Sequence, residues 1–353
     1  MTVPADRVTR AMTVEPGRAH GAAVSEVEGP VGDGDVLVEG LAVGICGTDI
    51  EIANGHYGSA PPGAQQLVLG HESVGRVFDA PSGSGLRKGD LVVGIVRRPD
   101  PAPCGPCAAG AWDMCSNGGY TERGIKGLDG YGAQLWLVEP EFAVAVPASL
   151  GHLAVLVEPA SVVAKAWDHI EHILARAPIE ARRVLITGAG PVGLLAALLG
   201  VQRGFDVHVL DQVVDGPKPD LVAALGATYH TTAVAEVPEA DVIVECTGVP
   251  SLVLDVIGRN SPSGIVCLTG VSTEGRNLDL DVGATNRQIV LQNDVIFGSV
   301  SSNRAHYEAA TDALTHADPG WLAGLVTRRV ALDSWTDALE RDAEDVKVIV
   351  DLV

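Results

Sequence analysis

The chain changes texture twice along its length. From residue 30 to about 147, short apolar runs recur (DVLVEGLAVG, LVLGHESVGRVF, DLVVGIV, AQLWLVEPEFAVAVP), split by Gly and Pro. Turn signals at this regularity predict an antiparallel, barrel-like region. Near residue 155 the period lengthens. LVEPASVVAKAWDHIEHILARA has apolar residues at helical spacing and predicts one helix starting near Glu158–Pro159. Strands and helices then alternate: RRVLITG, a helix from Pro191, FDVHVLD, the helix PDLVAALG, DVIVECTG, a further helix and GIVCLTG. Such alternation predicts a parallel sheet covered on both faces. After about 305 a helical, mixed tail ends in VKVIVDLV, which reads as a last strand.

This pattern implies an α/β protein in which a doubly wound parallel domain is inserted into a mainly β one. The expected boundaries are 1–155 with 307–353 for the β domain, and 156–306 for the inserted domain. A length of 353 residues agrees, because it exceeds what one ordinary core supports. VKVIVDLV and the apolar run around Ile296 are either ordinary core or interfaces, and a homo-dimer or homo-tetramer is expected.

Composition narrows the function. At 46% hydrophobic and 20% charged the chain is globular. Its formal charge of −21 repels phosphate backbones and anionic membranes, so neither nucleic acid nor a membrane is an expected partner. MTVPADRVTRAMTVEPG lacks the apolar core of a signal peptide, and a cytoplasmic location is expected. Six cysteines in that setting read as free thiols or metal ligands rather than disulfides.

VLITGAGPVGLLAALLG carries the G-x-G-x-x-G pattern at Gly188, Gly190 and Gly193, between a strand and a helix that Pro191 and Val192 open. Small residues there admit a pyrophosphate, and free N–H groups at the helix start face its charge. A ligand-free glycine turn is the alternative, but the strand–turn–helix context and the acid that follows favour a dinucleotide. That acid, Asp211, lies 18 residues beyond Gly193, where a carboxylate accepts from ribose hydroxyls and repels a 2′-phosphate. Gln212, Val213 and Val214 after it carry no positive charge, so NAD is expected over NADP. Thr247, in DVIVECTG, completes the expected cofactor-binding set.

Cys46 in GICGTD, His71 in LGHESVGRV and a carboxylate form a mixed S/N/O set that suits zinc and leaves a position open for substrate. Glu158 opens the long helix, and on local grounds it is equally a first-turn acid favoured by the helix dipole.

GICGTDIEI, LGHESVGRV and the glycine-rich run resemble the zinc-dependent medium-chain dehydrogenase/reductase superfamily, and within it the glucose dehydrogenase family. The resemblance continues through LDGYGAQLWLVEPEFAVAVP, LVEPASVVAKA and VGATNRQIVLQNDVIFGSVSSNRAHYEAA. It implies a GroES-like catalytic barrel, a Rossmann domain, and an NAD(P)-dependent dehydrogenase acting on a CH–OH group of a sugar, polyol or cyclitol. It makes Cys46, His71, Glu72 and Glu158 the catalytic zinc ligands, direct or through water. Thr48 would hydrogen-bond the reacting oxygen; a satisfied loop hydroxyl is its alternative reading. Glu122, in YTERGIKG, matches a sugar-binding acid.

Two positions depart from the family. An asparagine that contacts sugar and cofactor is here Ser301, with Asn303 close by, and a sugar-binding aspartate is here Val162. An unpaired buried hydroxyl costs about 1–3 kcal/mol, so the identity of the sugar is open. PDPAPCGPCAAGAWDMC gives C-x2-C-x7-C at Cys104, Cys107 and Cys115, where related dehydrogenases bind structural zinc with four cysteines. Pro101 takes the first position, and Asp100 could supply the fourth donor. A metal-free lobe is the alternative. Two other readings of the whole chain are a zinc-free quinone or enone reductase on the same fold and a non-catalytic nucleotide-binding sensor.

Overall fold

The computed structural model describes residues 8–29, 34–272 and 279–353. The chain forms two compact units, one of residues 1–161 with 301–353 and one of residues 162–300. Both boundaries fall six residues from those expected on periodicity; at the first, the helix Val157–Leu174 begins in one unit and continues into the other.

In the first unit the ten-residue strand Val36–Ile45 organises a mainly antiparallel sheet among the described residues. Its neighbours are Glu72–Asp79 on one side and Lys347–Asp351 on the other, and Leu135–Val138 pairs with it as well. VKVIVDLV is therefore interior: Val350 lies opposite Val43, and the strand also pairs in parallel with Val326–Ala331. That edge strand alternates half-buried and exposed residues, as a one-faced strand should. A second sheet pairs Val8–Val14 with Ala23–Glu28 and Leu67–Val68. Met12, Val43, Ile52, Leu69, Trp335 and Val350 share one core, which joins the two ends of the chain.

In the second unit six strands pair in parallel, in the spatial order Thr228–His230, Asp206–Leu210, Arg183–Thr187, Ala240–Glu245, Asn260–Leu268, Val295–Gly298. The order runs one way from Arg183–Thr187 and then the other, so the switch point lies between that strand and Ala240–Glu245, where open α/β sheets bind ligands. Arg183–Thr187 is buried over its last four residues, as helices on both faces demand. The helix Pro191–Gln202 packs on the sheet through Leu194–Gly200, and the Trp167 indole N–H donates to its Ala196 carbonyl at 3.2 Å. The run around Ile296 is the sheet's half-buried edge strand. No helix among the described residues is long and apolar enough to cross a membrane.

Candidate active site

Cys46 ends the strand Val36–Ile45 and caps the helix Gly47–Ala53. Its backbone is extended, with φ −126°, and its sulfur accepts from Thr48 N at 3.3 Å. Asp49 closes the capping box, its Oδ2 accepting from Cys46 N at 2.9 Å. The turn that ends the strand thus fixes the thiol. His71 follows Gly70, whose φ of 95° and tight approach to the Gly132 backbone leave no room for a side chain. Glu72 pairs with Gly44 across the sheet, so His71 and Glu72 are delivered beside Cys46 by strand register.

The Cys46 sulfur lies 3.1 Å from His71 Nε2. On the other side of the ring, His71 Nδ1 is 3.3 Å from Asp49 Oδ1, and both residues are buried. Burial opposes a charged imidazole, but Asp49 and Cys46 outweigh it and hold His71 well above its usual value. Burial likewise opposes ionisation of Asp49, and His71 reverses this, so the acid stays below the ordinary carboxylate range. Glu72 forms a buried ion pair with Lys347, whose ammonium also donates to the Ile45 carbonyl at 3.1 Å. Glu158, in the first turn of its helix, gathers with His71 and Glu72 so that their ligand atoms lie within 4.8 Å of one another. Burial pushes its carboxyl up to about 7, with His71 pulling the other way and Glu72 adding to the rise. One thiol, one imidazole and three acids thus gather around His71, with Asp49, His71 and Glu72 buried and Cys46 and Glu158 half-buried. This donor set fits zinc, and the carboxylate behind the imidazole is the partner that metal-bound histidines use to fix their tautomer.

Thr48 is half-buried beside this cluster. Glu122 is in a buried ion pair, its Oε1 receiving Arg97 Nε at 3.0 Å and Nη2 at 2.9 Å. The Arg97 guanidinium stacks on Tyr120 and also donates to the Asp113 carbonyl. Asn303 caps the helix Arg304–Thr315 through Oδ1 and donates from Nδ2 to Asp113 Oδ1 at 2.9 Å. Ser301 has φ 61°, the left-handed region that asparagine tolerates better than serine. Cys104, Cys107 and Cys115 bring their sulfurs within 4.8 Å of one another. Asp100 is not among them. Its Oδ1 accepts from Ala102 N at 2.8 Å, turned back into its own loop.

In the second unit, Gly188 has φ 87°, and a Cβ on Gly193 would strike the Gly188 carbonyl. A cleft of about 440 Å³ opens beside them, lined by Gly188, Asp211, Gln212, Lys218, Thr231 and Thr247 among others. Asp211 accepts from Ala189 N at 2.6 Å and from Val213 N at 3.0 Å, tying the acid to the glycine loop. Gln212, Val213 and Val214 bring no charge, but Lys218, further along the loop, sets its Nζ 3.2 Å from Asp211 Oδ2. The loop folds back, anchored by the Tyr229 hydroxyl on the Val213 carbonyl at 2.6 Å, and returns a lysine that is seven residues away in sequence. Thr247 donates to the fully buried Glu245, which also receives Gly248 N.

Asp49, Lys347, Arg97 and Lys218 were not singled out from sequence. For Asp49 a signal existed, since an acid three residues after a capping residue is half of a capping box. The other three meet their partners only through the fold.

The description "Alcohol dehydrogenase GroES-like domain" matches residues 32–148, and "Glucose dehydrogenase C-terminus" matches residues 151–352. A glucose 1-dehydrogenase of Methanocella arvoryzae is 40% identical over 356 residues, covering 97% of this chain and 99% of that protein. One from Thermoproteus tenax is 37% identical over 349 residues, covering 97% and 99%. Haloferax mediterranei glucose dehydrogenase, solved in complex with NADP, Zn and gluconolactone, superimposes with a TM-score of 0.90 at 33% identity, covering 98% of this chain and 99% of that one. The chain therefore belongs to the glucose dehydrogenase family, within the medium-chain dehydrogenase/reductase superfamily.

Proposed function

We propose that this protein is a zinc-dependent sugar dehydrogenase that oxidises a CH–OH group of an aldose such as glucose with NAD or NADP. The observation that carries the reading is the Cys46–His71 pair, a half-buried thiol 3.1 Å from a buried imidazole, with Asp49 behind the ring. Nothing in a zinc-free enone reductase or a nucleotide sensor requires that arrangement. The family relatives named glucose 1-dehydrogenase, and the Haloferax complex with zinc and gluconolactone, support the substrate class.

Cys46 and His71 would hold zinc, with Glu72 and Glu158 as carboxylate ligands, direct or through water. When bound, zinc supplies Lewis acidity toward the sugar hydroxyl and the dinucleotide takes up the hydride. The chain's own residues do the rest. Asp49 keeps the His71 proton on Nδ1 and so leaves Nε2 as a donor. Lys347 supplies the counter-charge that lets Glu72 stay in the buried cluster. Thr48 spends its N–H on the Cys46 sulfur, and its hydroxyl accepts the sugar hydroxyl's hydrogen bond and relays its proton. Glu122, held by Arg97, accepts from a second sugar hydroxyl. In the second unit the Gly188–Gly193 turn gives the pyrophosphate its backbone N–H groups.

The test is formation of reduced dinucleotide by zinc-replete protein offered D-glucose, then other sugars, polyols and cyclitols. Cys46→Ala and His71→Ala should each lose both zinc and turnover. Full metal content and full rate in either variant would place the site elsewhere. Silence on glucose with turnover of another polyol would mean the same zinc machinery behind a rebuilt sugar pocket.

A further inference from the structure

We propose that Cys104 and Cys115 form a thiol–disulfide pair that peroxide oxidises, in the lobe whose sequence resembles a structural zinc site. A structural zinc needs four protein donors closed around it. Three sulfurs meet here, and Pro101 at the fourth place has no donor side chain. The neighbouring acid does not replace it. Asp100 Oδ1 accepts from Ala102 N at 2.8 Å, and its carboxylate lies so close to Gly119 that a Cβ there would strike Oδ2. No other ligand-bearing side chain among the described residues joins the group. The lobe therefore does not fit a closed zinc site, and all three of its cysteines are free thiols.

The Cys104 and Cys115 sulfurs are 4.0 Å apart. A disulfide requires them to close by about 2 Å, a distance that rotation about one Cα–Cβ bond covers. Cys115 is the anchored member, directly after the short turn Trp112–Met114. Asp113 pins that turn: it is buried, its carbonyl receives Arg97 and its Oδ1 receives Asn303. Cys104 lies across from it, its sulfur accepting Ser116 N at 3.5 Å. Both are half-buried, whereas Cys107 is buried. Residues 101–103 and 116–119 on either side are exposed, so a small oxidant reaches this pair in preference to Cys107.

The chemistry balances with hydrogen peroxide as the oxidant. One sulfur, as thiolate, attacks the O–O bond and becomes S–OH, and the hydroxide released takes up that thiol's proton. The second sulfur displaces the hydroxyl, which leaves with the second thiol's proton as water, and the S–S bond closes. Two electrons pass from the sulfurs to the peroxide, which ends as two waters. A dithiol reductant reverses the bond by exchange.

The test treats reduced, zinc-replete, full-length protein with hydrogen peroxide, traps the remaining thiols with iodoacetamide in denaturant and maps the peptides. Cleavage before Asp113 separates Cys115 from Cys104 and Cys107, so a link between the fragments is read directly. The expected result is a Cys104–Cys115 link, lost again with dithiothreitol, and an alkylated Cys107. Cys115→Ser should stop Cys104 at the sulfenic acid, which dimedone captures. Cys104→Ser should leave the zinc content unchanged. Unlinked fragments after Cys46 has been oxidised, or a link through Cys107, would overturn the pairing. Zinc lost on Cys104→Ser, with lobe thiols that resist alkylation until a chelator is added, would overturn the proposal and make the lobe a metal site. None of these readouts uses turnover, so they stand or fall separately from the sugar oxidation.

Discussion

Exchanging Asp49 for Asn removes one charge and changes almost no volume, yet it should damage the proposed zinc site. Asp49 is 0% exposed and serves two groups at once: Oδ2 takes the Cys46 amide at 2.9 Å, and Oδ1 faces His71 Nδ1 at 3.3 Å. If the Asn oxygen keeps the Cys46 amide, its NH2 group points at Nδ1. The imidazole then moves its proton to Nε2, the nitrogen that lies 3.1 Å from the Cys46 sulfur and must be unprotonated to bind metal. If the amide is reversed, His71 keeps its tautomer but the Cys46 N–H meets a donor. The capping interaction, worth about 0.5–2 kcal/mol, is then lost. Loss of such a supporting group costs roughly 10–100-fold in metal affinity, which is about 1.4–2.8 kcal/mol. The assay is zinc competition against a chromophoric chelator at fixed pH, with thermal unfolding of the zinc-free protein as control. Asp49→Asn should lose zinc affinity by that factor while the zinc-free fold loses no more than about 2 kcal/mol. An unchanged zinc affinity would refute the claim that Asp49 sets the His71 tautomer.

Lys347→Met strands the buried Glu72 charge and should cost about 3–5 kcal/mol in denaturant unfolding, while Lys347→Met with Glu72→Gln should cost clearly less. A double variant as unstable as the sum of its singles would show that the two residues are not energetically paired. Gly193→Ala puts a methyl group into the Gly188 carbonyl, so dinucleotide affinity should collapse with zinc content unaltered; normal NAD and NADP affinities would contradict the close approach. Burial opposes ionisation of Glu139, but Arg98, bonded at 2.7 Å, overrides it and lowers the acid from 4.5 to about 2. A depressed acid contributes stability that is present above its unfolded value and lost as pH falls toward the folded one. Glu139→Gln should therefore be less stable than wild type above pH 4.5 and converge with it near pH 2, and parallel curves would exclude this linkage.

The two domain types, the inserted order of the domains and the Cys46–His71 pairing were legible in the chain because each rests on local pattern. Strand alternation, the G-x-G-x-x-G turn and the CGTD and GHE segments are contiguous, and their chemistry follows from residue type and spacing. The strand assignment of VKVIVDLV was legible too, since period and β-branching are local properties. Its interior place in the sheet was not, because strand pairing joins Val350 to Val43 across three hundred residues of chain. The same limit explains the site. Sequence placed an acid after the second strand of the parallel sheet, but only the folded loop set Lys218 against it. Sequence offered Glu72 as a ligand, but only the sheet register buried Lys347 beside it. Sequence offered Glu122 and Asn303 as sugar contacts, and the structure gave each a buried partner, Arg97 and Asp113. Ligand types are written in single residues; the charges that balance them come from distant segments that meet only when both cores close.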